Sequence, residues 1–226
     1  MATETVNGAR IHYQRLGAGD VPVVLVHGSW DSHDDWQGVV PGLAKSFDVV
    51  AYDRRGHSRS ERPPGPATVH DHVDDLAELI ERLGLKRAWV VGNSFGGSIA
   101  LRLAAKHPAL LRGVIAHEPP LMALIGGDPR LASLAEEENE VMAIVADSIA
   151  AGNHAGGAEQ FIEHVLGPGG WTELSPEYRS TFIENAPTFL DEWRDPDNEA
   201  FESTSRQRER SFTEIHSDAC RATPAG

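Results

Sequence analysis

The 226-residue chain has a single cysteine, Cys220, so no internal disulfide can form and a reducing, cytoplasmic compartment is the expected setting. Basic residues are scarce: 20 Lys and Arg stand against 34 Asp and Glu, a formal net charge of −14. Nucleic acid is therefore excluded as a partner, because phosphate binding needs clustered cations, and an anionic membrane surface is disfavoured for the same reason. Nowhere does an apolar run reach the roughly 18 residues of a membrane span, and Met1 to Arg15 contains no apolar signal-peptide segment, so no membrane partner is expected. Glu136-Glu137-Glu138 reads as a solvated helix face rather than a metal site, and no cofactor is expected. What the chain does have, 40% hydrophobic and 24% charged residues, suffices for one substantial core with an insertion.

The most informative stretch runs from Ala88 to Ile99. Ala88 to Val91 is apolar without alternation, which suits a central parallel strand covered on both faces. Beyond it, Ile99, Leu101, Leu103 and Ala104 recur at helical spacing until His107-Pro108. Between the two, Gly92-Asn93-Ser94-Phe95-Gly96 has glycine two residues either side of a serine, where side chains would collide across a sharp bend. The pattern is G-x-S-x-G, the strand-to-helix elbow that exposes a strained serine at the strand's C-terminal end.

Around it, Thr3 to Val6 and Arg10 to Arg15 flank the hairpin dipeptide Asn7-Gly8 and predict an antiparallel edge. Val21 to Val26 predicts a buried strand ending at His27-Gly28-Ser29-Trp30, Trp36 to Phe47 a helix, and Asp48 to Tyr52 a third strand. A helix from about Val69 carries Val73, Leu76, Leu79, Ile80 and Leu83 on one face and stops at Gly84. Leu111 to Ala116 predicts one more strand, ending in His117-Glu118. Strands and helices alternating in this way imply βαβ units, a mostly parallel sheet with helices on both faces, and chemistry at the strands' C-terminal ends.

His27-Gly28-Ser29-Trp30, Tyr52-Asp53-Arg54-Arg55-Gly56-His57-Ser58 and Gly92 to Gly97, each after a buried strand, together resemble the α/β-hydrolase fold of the esterase, perhydrolase and dehalogenase type, over roughly Ala9 to Pro120. A serine hydroxyl needs an imidazole to take its proton and a carboxylate to orient that imidazole. The resemblance implies Ser94 as nucleophile and the backbone amides of Ser29 and Phe95 as oxyanion donors. It implies Glu118, at the end of the strand after the elbow, as the carboxylate. His27 is then a structural residue of its loop, Asp53 and Arg54 make local hydrogen bonds within a turn, and His57 is a surface-loop histidine.

Three helices, Leu131 to Ala151, Ala155 to Leu166 and Pro176 to Trp193, are predicted beyond Pro120, with Pro168 to Trp171 as connector. They resemble the helical cap of that family, and Met122, Leu124, Phe161, Val165, Trp171 and Phe189 are candidates to line an acyl pocket, or else ordinary core. Relatives then return to the sheet and supply the catalytic histidine, but Phe201 to Gly226 has no four-residue apolar run and reads as an irregular tail. His216 is its one histidine and the remaining candidate base. The expected organisation is a core over residues 1–120, a cap over 121–198 and an irregular or disordered tail over 199–226, with the C-terminal strands absent as after a frameshift or truncation. Leu111 to Ala116 would then be an open edge through which copies could associate. Two functions follow: a serine hydrolase of small esters, lactones or similar acyl compounds, or a non-catalytic relative that binds small molecules or a partner.

Overall fold

A computed structural model describes residues 1–122 and 128–198. Within them, β1 (Ala2–Val6), β2 (Ala9–Leu16), β3 (Pro22–Val26), β4 (Asp48–Tyr52), β5 (Ala88–Asn93) and β6 (Leu111–His117) form one mixed sheet in the order β1-β2-β4-β3-β5-β6. β3 pairs in parallel with β4 and β5, and β5 with β6, whereas β1 and β2 run antiparallel. Asn7 and Gly8 both have positive φ, 44° and 72°, the geometry a two-residue hairpin turn demands. All five residues of β3 are buried, as the unbroken apolar run foretold.

One face of the sheet is covered by α1 (Val69–Arg82) and α2 (Phe95–Lys106), whose Val73, Leu76, Ile80, Ile99 and Leu103 pack with Val24, Val26 and Val90. Thr68 and Asp71 cap α1 reciprocally, and Gly84 ends it at φ 66°. The other face is closed by Trp36, Val40, Leu43 and Phe47 against Val23, Leu25, Val49 and Ala51. The single helix expected from Trp36 to Phe47 is instead a 3₁₀ segment, His33–Gly38, and one helical turn, Val40–Leu43. Gly38 and Gly42 favour the unfolded chain entropically, and Pro41 withholds an amide donor, so the right apolar residues reach the sheet without a continuous helix.

The segment expected as a cap contains α3 (Ala132–Ala150), α4 (His154–Leu166) and α5 (Pro176–Arg194), within a residue or so of the sequence expectation, and the connector contains a further turn, Gly170–Glu173. Asn153 and Ser175 cap α4 and α5. Trp30, from the loop after β3, is fully buried in the cap's core, stacked on Phe161 and Phe189 at 5.0 and 5.1 Å. Among the described residues β6 is paired on one side only, and Ile115 there is 53% exposed. The expectations for Leu124 and for 199–226, His216 included, fall outside the described residues.

Candidate active site

Ser94 stands between the last residue of β5 and the first of α2 with φ 51° and ψ −123°, a conformation forced by the bend. A Cβ on Gly92 would overlap the Gly96 carbonyl, and one on Gly96 would overlap the Val26 and His27 carbonyls, so the elbow tolerates only glycine at both. The Ser94 N–H donates to the His117 carbonyl at 2.8 Å, which ties the elbow to the end of β6. Its side chain, half-buried, faces a cavity of about 930 Å³ that Ser29, Phe95 and Glu118 also line. Four of the five residues singled out in the sequence are thus brought to one cavity.

A Cβ on Gly28 would lie 3.1 Å from Ser94 Cβ, so the loop after β3 approaches the serine as closely as its missing side chain allows. The Phe95 N–H, first of α2, has no intrahelical acceptor, and neither it nor the Ser29 N–H is donated to any acceptor among the described residues. Two unspent donors beside a strained hydroxyl can stabilise negative charge on an acyl oxygen. Non-glycine residues with positive φ also head the neighbouring strands: Trp30 at 70° beyond β3 and Glu118 at 46° beyond β6.

Glu118 is strongly exposed, and among the described residues the nearest imidazole is that of His117 at 4.0 Å, itself bonded through Nδ1 to Asn93 Oδ1 at 2.9 Å. No histidine among the described residues hydrogen-bonds to the Ser94 hydroxyl. His27 is committed elsewhere: its Nε2 accepts the Arg54 N–H at 2.9 Å and its Nδ1–H donates to Gly28 O at 2.8 Å. Burial, reinforced by the Arg54 charge, pushes its pKa down to about 3, so it stays neutral.

His57 differs from the expectation of a surface histidine. It is buried, with Nδ1 at 2.9 Å from Arg55 O and Nε2 3.0 Å from both Arg54 Nη2 and Thr188 Oγ1. The loop is roofed by α5, which a local reading of D-R-R-G-H cannot foresee. Arg54 likewise departs from a purely local role: its guanidinium is fully buried and pairs with Glu192 of α5 at 2.7 Å. Asp53 does serve the loop architecture, accepting from His33 N and Nδ1, both at 2.8 Å, and from Arg59 N at 3.1 Å. Burial would raise the Asp53 carboxyl, but the two bonds from His33 outweigh it and hold it below its ordinary value. His12, His33 and Asp53 have donor atoms within 4.8 Å of one another, as a metal site would, yet Arg59 Nη1 lies 3.3 Å from His33 Nε2 and already supplies a cation there.

Met122, Phe161, Val165 and Phe189 line the cavity, whereas Trp171 is enclosed in the cap core. Asp31 and Asp35 line it too, and burial first, then the neighbouring Asp35 charge, lifts the Asp31 carboxyl well above its ordinary value.

Residues 21–166 match the family model described as the alpha/beta hydrolase fold. The chain belongs to the α/β-hydrolase family. This α/β-hydrolase is 41% identical over 128 residues to the uncharacterized hydrolase YraK of Bacillus subtilis, an alignment covering 56% of the chain and 47% of the relative. It is 36% identical over 130 residues to the bifunctional esterase/perhydrolase DCH of Acinetobacter calcoaceticus, covering 55% and 47%. A solved α/β-hydrolase from Sphaerobacter thermophilus superposes with a TM-score of 0.66 at 25% identity, over 87% of this chain and 74% of that one. The chain spans about half or less of the length of the curated relatives it matches.

Asn185, Thr188 and Glu192 of α5, all nearly fully buried, were not foreseen from the sequence: Glu192 lines the cavity, while Asn185 and Thr188 hold the loops after β3 and β4 beside it. Their spacing, i, i+3 and i+7, aligns three polar side chains on one helical face, and that stripe was the available signal.

Proposed function

We propose that the chain is a serine hydrolase of small esters, lactones or similar acyl compounds. The observation that carries this reading is the strained Ser94 at the mouth of the parallel part of the sheet, with the Ser29 and Phe95 N–H groups beside it unspent among the described residues. Ser94 Oγ bonds to the acyl carbon as its proton passes to an imidazole, the two amides receive the charge on the carbonyl oxygen, and the leaving alkoxide takes the proton back. Water then cleaves the acyl-enzyme by the same route. Glu118 is proposed to orient the imidazole, and His216 to supply it. Relatives named as a hydrolase and as an esterase/perhydrolase support the hydrolytic class, and peracid formation by the same serine is the nearest variant.

The alternative is a non-catalytic binder of small molecules, favoured by one observation: among the described residues Ser94 has no imidazole partner. A fluorophosphonate probe separates the two. Labelling of the wild-type chain that disappears in Ser94→Ala, together with hydrolysis of p-nitrophenyl acetate, supports the hydrolase. A folded wild-type protein that neither labels nor hydrolyses the ester refutes it.

A further inference from the structure

The Ser29 N–H shares one planar trans peptide with the Gly28 carbonyl, so the two point in opposite directions and whatever fixes the carbonyl aims the donor. Two groups fix it. The Arg54 N–H is accepted by His27 Nε2, which places the imidazole proton on Nδ1, and that N–H donates to Gly28 O at 2.8 Å. Arg54 Nη2 donates to the same oxygen at 2.9 Å. An acceptor held by an imidazole N–H and a guanidinium is strongly polarised, and the polarisation passes through the peptide to make its N–H a better donor.

Arg54 is in turn held by the cap. Its Nη2 donates to Glu192 Oε1 at 2.7 Å, and the second oxygen of that carboxylate accepts the Ser29 hydroxyl at 2.5 Å. Glu192 of α5 therefore grips the Gly28–Ser29 unit from both sides, through the guanidinium on the carbonyl and directly on the side chain. One helical face adds to the hold, because Asn185 Nδ2 donates to Trp30 O at 2.9 Å and Asp31 O at 3.0 Å. The Arg54 guanidinium also lies 5.0 Å over the ring of Phe95, the residue of the second donor.

We propose that Glu192 and Arg54 are positioning residues that set the Gly28–Ser29 peptide as an oxyanion donor, making that donor depend on the seating of cap helix α5. Its catalytic half rests on the serine-hydrolase reading; its structural half does not. A cap lifted away would carry Glu192 off, take from Arg54 its carboxylate and from Ser29 its side-chain anchor, and leave the peptide held less firmly, by His27 and an unneutralised Arg54. Chemistry would then wait on cap closure.

The test is Glu192→Gln, which keeps the shape and removes the charge, read by two measurements. In backbone amide NMR, the Ser29 N–H resonance moves upfield as the carbonyl loses polarisation, while amides of the sheet interior stay in place. In kinetics with p-nitrophenyl acetate, the acylation rate falls about tenfold or more at nearly constant KM, because a group acting on the transition state has been disturbed. Should Glu192→Gln fail to fold, Glu192→Asp keeps the charge but shortens the reach and breaks the Ser29 bridge. An unmoved Ser29 resonance in a folded variant overturns the proposal, as does a loss expressed as raised KM at constant kcat. If the wild type never reacts with a fluorophosphonate, the hydrolase reading has failed, and the Ser29 resonance alone decides the positioning role.

Discussion

Trp30 is the apolar anchor among the contacts that join core and cap, and truncating it should loosen that junction. The indole is fully buried and stacked against both Phe161 and Phe189 at an interplanar angle of 27°, and these two rings also meet each other at 6.0 Å. Trp→Ala in a core typically costs about 3–5 kcal/mol, and each lost aromatic pair, about 0.5–1.5 kcal/mol, places this site toward the upper end. One feature works in the other direction: Trp30 Nε1 has no hydrogen-bond partner among the described residues. An unpartnered buried donor penalises the native state by about 1–3 kcal/mol, and removing it offsets part of the loss. Trp30→Ala is therefore expected to destabilise by about 2 kcal/mol or more. Trp30→Phe keeps a ring in the stack and deletes the stranded N–H. Its lost area, worth roughly 1 kcal/mol, is matched by the relief, so it should lie within about 1 kcal/mol of wild type. Equilibrium urea unfolding measures both, and amide hydrogen exchange should show faster opening of α3, α4 and α5 than of β3 and β5 in Trp30→Ala. If Trp30→Phe proves as damaging as Trp30→Ala, or if Trp30→Ala loses less than about 1 kcal/mol, the stack does not join the two layers.

Burial, with the Arg54 charge, lowers the His57 and His72 pKa values well below the ordinary range, as it lowers His27 to about 3. Each is neutral when folded, whereas the unfolded chain takes up protons below about pH 6.5, so stability present above that value is lost as pH falls toward the folded pKa, by up to about 1.4 kcal/mol per pH unit for each histidine. A urea midpoint at pH 5.5 no lower than at pH 7.5 would contradict the burial of this group. Gly96→Ala drives a methyl into the Val26 carbonyl, and the expected result is loss of folding or a displaced elbow; a variant of native stability and intact fluorophosphonate labelling would show that the bend is looser than its geometry implies.

The parts legible in the sequence were those written locally. Unbroken apolar runs named the buried strands, Asn7-Gly8 named the hairpin, and the paired glycines around Ser94 named the elbow, because each depends on neighbours a few residues away. The segment from His33 to Phe47 was misread since its apolar residues fit a helix while its glycines and Pro41 do not sustain one. His57 and Arg54 were misplaced for a different reason. Their partners Thr188 and Glu192 lie 131 and 138 residues further along, and no periodicity connects a loop to the helix that closes over it.

The three residues that head adjacent strands with positive φ, Trp30, Ser94 and Glu118, carry a consequence for how such a molecule changes over generations. A backbone held in that region costs on the order of 1–3 kcal/mol at each position, and only a stiff surrounding sheet keeps it there. Glycine would relax any of the three, yet it would delete the cap's anchor, the hydroxyl or the carboxylate. Selection for sturdiness and selection for whatever happens at this mouth thus pull on the same few residues in opposite directions. Its tension is a record of which has prevailed.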